Sequence, residues 1–256
     1  MAVLLFFAAA IGGGLNAVAG GGSFLTLPAL IFAGVSPVVA NATSTLALWP
    51  ASISSTFAYR GDIKTSRRWL VILGLTSVIG GLAGAQLLVR TSDSSFLRLL
   101  PWLMLTAAVT FTFGHKLRPT PATDAGTSHR FERGGAWHPS MLGIVALQLV
   151  IAAYGGYFGG GMGIMMLATL AVAGMTNIHE MNGLKALLGV SINGLALLTF
   201  VVGGVIDWKY GLTMAAGGIL GGYSIAAFAR KIEPRYVRIF VIIVGWAMTA
   251  YFFWRR

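Results

Sequence analysis

GGGLNAVAGGGSFLTLP, Gly12 to Pro28, is the stretch on which the reading of this chain turns. It lies inside 59 residues, Met1 to Tyr59, that carry no charged side chain. Glycine gives up the most backbone freedom on ordering and packs nothing of its own. Two Gly-Gly-Gly triplets in a membrane-length apolar run are therefore poor continuous helix. They suit a helix that opens. In hydrocarbon an unpaired backbone N–H or C=O costs several kcal/mol, so opened backbone is confined to protein-buried or cavity-lining positions. A helix restarting at Ser23 would aim its positive end at the opening. Close helix packing through small residues is the competing explanation.

Composition fixes the class. The 256 residues are 56% hydrophobic and 10% charged, with a mean hydropathy of +0.80. Soluble domains carry about 25% charged residues, so the chain reads as an integral membrane protein. The formal net charge of +11 comes from Lys and Arg in short loops between apolar runs. These read as topology signals and contacts to membrane lipids, not as a nucleic-acid surface. The absence of cysteine excludes disulfides, iron–sulfur clusters and thiol relays. The opening MAVLLFFAAAIGGG lacks the basic start of a signal peptide, and the apolar pattern runs on past Ala17-Val18-Ala19, so it is read as a membrane segment.

A short helix is predicted from Phe24 to Ala33, ended by Gly34 and Pro37 and reaching only ~18 Å, half a bilayer core. Crossings follow at Val38–Tyr59, kinked at Pro50, at Trp69–Val89 and at Phe96–Gly114. His115 to His138 is the one extended polar segment and reads as a linker. Its three histidines are too scattered for a metal site, and no cofactor is expected. Beyond it the pattern repeats, with Gly155-Gly156 and then Gly159-Gly160-Gly161-Met162-Gly163. An offset of 140 lays Gly160 and Gly161 on Gly20 and Gly21, and Gly174 on Gly34; 141 lays Gly221-Gly222 on Gly80-Gly81. Paired broken helices in duplicated halves point to a transporter's binding site. The expected fold is an all-α polytopic membrane protein of two homologous halves, 1–114 and 139–256, joined by a cytoplasmic linker at 115–138. Eight long crossings and two short broken half-helices make it up.

The halves are parallel if each broken segment counts as one crossing, and inverted if each short helix makes its own pass. The inverted arrangement places twelve of the seventeen loop Lys and Arg on one side, against eleven for the parallel one. With the positive-inside rule this favours inverted halves, both chain ends outside the cytoplasm.

Lys185 lies within an apolar helix, where a cation faces a pathway or a partner. Glu180 is five residues away, off the favourable i,i+4 spacing, so a pair between them is a weak explanation. Asn182 and Asn193 lie toward the same side. The 140 offset sets Thr45 opposite Lys185, with Asn41, Thr43 and Ser44 before it; their hydroxyls and amides can donate to an oxyanion, or bond their own helix carbonyls. Asn16 lies in the break itself. The expected substrate-binding set is Asn16, Gly20, Gly21, Gly22, Ser23, Asn41, Thr43, Ser44, Thr45, Gly159, Gly160, Gly161, Met162, Gly163, Asn182, Lys185 and Asn193. Gly21 and Gly161 are expected there for opened backbone, not for packing. His179 and Glu180 sit where a carboxylate suits the helix dipole and are candidates for proton coupling.

With these residues in hand, the chain resembles the sulfite exporter TauE/SafE family, the 4-toluene sulfonate uptake permease group. The resemblance rests on GGGLNAVAGGGSFLTLPALIFAGVSP followed by ANATSTLALWPASISSTFAYR, and on GGYFGGGMGIMMLATLAVAGM followed by MNGLKALLGVSINGLALLTFVVGGVIDW. The chain departs from internal symmetry at Ala168, which faces Pro28 of the first half. The resemblance implies an inner-membrane carrier of sulfite, thiosulfate or small organosulfonates, with a small anion as its partner. A passive anion channel, or a carrier of non-sulfur organic anions, is the alternative. A membrane enzyme would need a nucleophile–base pair or metal cluster, and one His beside one Glu is all the membrane region offers.

Overall fold

The computed structural model describes residues 1–18, 20–114, 139–229 and 234–255; the expected linker at 115–138 lies outside them. The described residues form ten helices: α1 Ala2–Val18, α2 Ser23–Phe32, α3 Pro37–Tyr59, α4 Arg67–Val89, α5 Asp93–Phe113, α6 Pro139–Tyr157, α7 Met162–Val172, α8 Ile178–Val202, α9 Trp208–Ala229 and α10 Pro234–Trp254. Of these, α4, α5 and α8 are by length and composition able to cross a membrane. The short helices fall where the glycine punctuation puts them. α2 has 10 residues and α7 has 11.

Local chemistry sets the boundaries. Pro37 opens α3 with its φ already helical and no N–H to satisfy. Asn177 caps α8, its side-chain oxygen accepting from the His179 and Glu180 amides. The breaks are helix ends of the left-handed glycine kind. Gly20, at φ +80°, donates its N–H to Leu15 and Asn16. Gly159, at φ +83°, donates to Tyr154. A new helix begins a few residues later in each case.

Helices before and after the linker interleave. α1 packs along α9, α4 along α6, and α3 lies against both α8 and α9. Glycines make the closest approaches: a Cβ on Gly221 would strike the Ala10 carbonyl, and one on Gly80 would lie 2.6 Å from the Leu149 carbonyl oxygen. These contacts recur at a fixed spacing. Gly80 and Gly221 are 141 residues apart, and their partners Leu149 and Ala10 are 139 apart. Gly81 packs on Ile192 and Gly222 on Ala51, both members displaced by 141. Trp49 and Val190, themselves 141 apart, meet each other through Trp49 Nε1 donating to the Val190 carbonyl at 3.2 Å. The contacts thus run at 139 through α1 and α6, and at 141 through α3–α4 and α8–α9. The single offset of 140 shifts because the α7 segment and the turn after it each carry an extra residue. That correction lays Lys185 on Ser44, with Ala186 on Thr45.

Two ends of the bundle are defined by polar contacts. At one, Thr65 in the α3–α4 loop donates to Glu180 Oε1 at 2.9 Å, and Gly183 sits against Tyr59 and Ile63. At the other, Asp93 Oδ1 accepts from the Val38 amide at 2.9 Å, the Asp207 amide donates to Thr43 Oγ1 at 3.0 Å, and Gly203 packs on Val89.

Candidate functional site

The two breaks meet inside the bundle. A Cβ on Gly159 would lie 4.0 Å from Ser23 Oγ, so backbone from the second break reaches the first residue of α2. Beside this meeting point is a cavity of ≈ 60 Å³. One water needs roughly 10–15 Å³ on this measure, so the space suits a few waters or one small polyatomic ion. Its wall is drawn from α1 (Asn16), the first break and α2 (Gly20, Ser23), α3 (Thr45, Leu48, Ser52, Tyr59), the second break and α7 (Gly159, Met162, Gly163, Met166) and α8 (Asn182, Lys185, Ala186, Gly189, Asn193). Along α3 and α8 the wall runs from mid-helix toward the end marked by Thr65 and Glu180.

Electrostatically the site favours negative charge. The first residues of α2 and α7, Ser23 and Met162-Gly163, both face it, and a helix start carries about half a positive charge. Lys185 adds a full one; its aliphatic stem passes over Gly163, whose added Cβ would lie 3.4 Å from Lys185 Cδ. Asn16 donates to Ser52 Oγ at 3.0 Å, which fixes the amide at the wall. Among the described residues, the amides of Asn182 and Asn193 and the hydroxyls of Ser23 and Tyr59 are spent on no hydrogen bond within the chain. Donors are thus present without a carboxylate in the wall.

Of the sequence-derived residues, Asn16, Gly20, Ser23, Thr45, Gly159, Met162, Gly163, Asn182, Lys185 and Asn193 come together here. Others are placed elsewhere. Asn41 donates to the Tyr157 carbonyl at 2.9 Å, and Ser44 pairs with Thr26 at 2.6 Å between the hydroxyls. Thr43 takes the Asp207 amide. Gly21 is a packing position, an added Cβ lying 2.5 Å from Val241 Cγ1, whereas Gly161 is both left-handed, at φ +83°, and packed, an added Cβ lying 2.8 Å from Ala107 Cβ. Gly22 abuts the Gly12 carbonyl, and Gly160 lies under the Phe158 ring. In the cavity wall the left-handed glycines are Gly20 and Gly159, and Gly161 adds a third just before Met162. Glu180 is buried against Thr65, and His179 is exposed at the start of α8. Among the described residues no group of three His, Cys, Asp or Glu is placed to hold a metal.

Sequence reasoning missed Leu48, Ser52, Tyr59, Met166, Ala186 and Gly189. The signal was available. Thr45, Leu48, Ser52 and Tyr59 follow a spacing of three, four and seven, one stripe of one helix.

The sulfite exporter TauE/SafE family profile matches residues 5–252. The chain belongs to this family. Among its relatives, the probable membrane transporter protein YfcA of Escherichia coli strain K12 is 31% identical over 253 residues, 96% of this chain and 87% of its own. A probable membrane transporter protein of Haemophilus influenzae is 27% identical over 96% of this chain and 92% of its own length. The probable membrane transporter protein YunE of Bacillus subtilis is 24% identical over 95% of both chains. No solved structure matches. The protein is therefore a membrane transporter of the TauE/SafE family, and the cavity is described within a transporter, not an enzyme.

Proposed function

We propose that this transporter carries small sulfur-containing oxyanions or organosulfonates across the bacterial cytoplasmic membrane, as a secondary carrier built from two inverted halves. The observation that carries this reading is the cavity itself: two helix starts from opposite halves and Lys185 converge on a space of small-ion size. Inverted halves are supported by the bond between Thr65 and Glu180. In a parallel arrangement the α3–α4 loop and the start of α8 would lie on opposite membrane faces; in an inverted one they share a face. A carrier is favoured over a passive channel because the cavity ends at Thr45. Beyond it Asn41, Thr43, Ser44 and Phe158 are buried.

Two measurements test this. Sulfite, thiosulfate or sulfoacetate is expected to raise the melting temperature of the purified protein. A ligand at a hundred times its Kd adds about 2.7 kcal/mol to stability. Stabilisation by carboxylates alone, with none by sulfur anions, would sink the substrate assignment. For topology, cysteines placed singly at the exposed positions Lys64, His179 and Ser94 are expected to react with an impermeant thiol reagent from the same face for the first two and from the other face for Ser94. Labelling of Lys64 and His179 positions from opposite faces would restore the parallel arrangement.

A further inference from the structure

We propose that Asn41 and Asn182 form two alternating latches, one of which is closed in this structure and the other open. Asn41 Nδ2 donates to the carbonyl of Tyr157, the last residue of α6 and two residues before the cavity-lining Gly159. That carbonyl belongs to the final turn of a helix, where no intrahelical N–H is available to it. The bond ties α3 to the second break at the end of the bundle where the cavity stops. The contact register gives its counterpart: 141 residues on from Asn41 is Asn182, and 139 back from Tyr157 is Val18, the last residue of α1. The equivalent bond is Asn182 Nδ2 to the Val18 carbonyl, joining α8 to the first break. Asn182 instead lines the cavity, with no hydrogen-bond partner among the described residues. The same amide chemistry stands at both ends, made on the closed side and unmade on the open one.

The inference rests on the reading of inverted halves in a carrier. When the cavity opens toward Asp93, the Asn41 latch releases and Asn182 takes the Val18 carbonyl. Each latch therefore holds the opposite orientation's exit shut. Removing one buried amide–carbonyl bond moves such an equilibrium about threefold to tenfold.

The test reads orientation directly. Ala186, a small wall residue in a cysteine-free chain, is replaced by cysteine, and its reaction with an impermeant thiol reagent is timed from each face of oriented vesicles. Adding Asn182→Ala is expected to shift the ratio of labelling from the two faces toward the Tyr59 face by about threefold to tenfold. Asn41→Ala is expected to do the reverse, and the double variant to return the ratio near that of the reporter alone. Shifts in the same direction, or none, overturn the proposal. If Asn41→Ala does not fold, Asn182→Ala decides alone, since its amide supports nothing in this orientation; unchanged labelling there overturns it. Labelling needs no substrate, so the outcomes separate from the substrate assignment. Opposite shifts with no sulfur anion stabilising the protein keep the latches and sink that assignment. Anion stabilisation with unmoved labelling does the converse.

Discussion

Replacing Lys185 with Gln lowers the affinity for a small sulfur oxyanion about tenfold to a hundredfold. Hydrogen bonds to charged groups contribute roughly 1.5–3 kcal/mol each, and 1.4 kcal/mol is tenfold in Kd. Lys185 supplies the one full positive charge of the cavity wall, and the remaining donors are neutral. Affinity should fall before the maximal rate does, because the helix starts at Ser23 and Met162 still orient the ion. Lys185→Arg is a stringent companion, since the planar guanidinium is larger and matches a carboxylate-like fork, not the compact point charge of the ammonium. Calorimetric titration of sulfite into the three proteins is the measurement. Equal dissociation constants for wild type and Lys185→Gln would remove Lys185 from recognition and leave the anion to backbone and hydroxyl donors.

Replacing Gly221 with Ala is the second large effect, and it falls on stability. The added methyl would strike the carbonyl of Ala10, main chain that cannot rotate away. Overpacking of this kind costs about 1–3 kcal/mol and occasionally more. Gly156→Ala, against the Gly81 carbonyl on the α4–α6 contact, should behave alike. Gly74 is the control: a methyl added there would meet nothing within 4 Å, and Ala in a helix interior gains roughly 0.5–1 kcal/mol over Gly. Thermal unfolding in one detergent compares all three. A Gly221→Ala protein that melts like the wild type would mean that α1 and α9 are free to separate.

The breaks were legible because nothing but opened or tightly packed backbone tolerates such glycine density in an apolar run. The order of long and short helices followed from the same punctuation, with Pro37 and the αL glycines marking ends. Which glycines open and which pack was not legible. Gly20 and Gly21 are adjacent and chemically identical, yet one terminates α1 at positive φ and the other abuts Val241. That difference is set by neighbours 220 residues away in the chain. The same holds for Asn41, Thr43 and Ser44. Their residue types suit an oxyanion, but helix azimuth turns them to Tyr157, Asp207 and Thr26, while Thr45 and Ser52 face the cavity. Lys185 was legible for the opposite reason, since a cation in an apolar helix announces itself from sequence alone.

The packing of α1 on α9 also bears on how the chain is made. Gly221 meets Ala10 across more than two hundred residues, so α1 waits for its main neighbour, α9, long after α1 itself has been made. Contacts of such sequence separation form late and slowly. Until then α1 presents the face of Phe6, Ala10 and Gly13 to lipid or to whatever insertion machinery holds it. α6 faces no such delay, because α4 already awaits it. α1 is thus sealed long after it is made, and a truncation that removes α9 orphans α1, far from the cut.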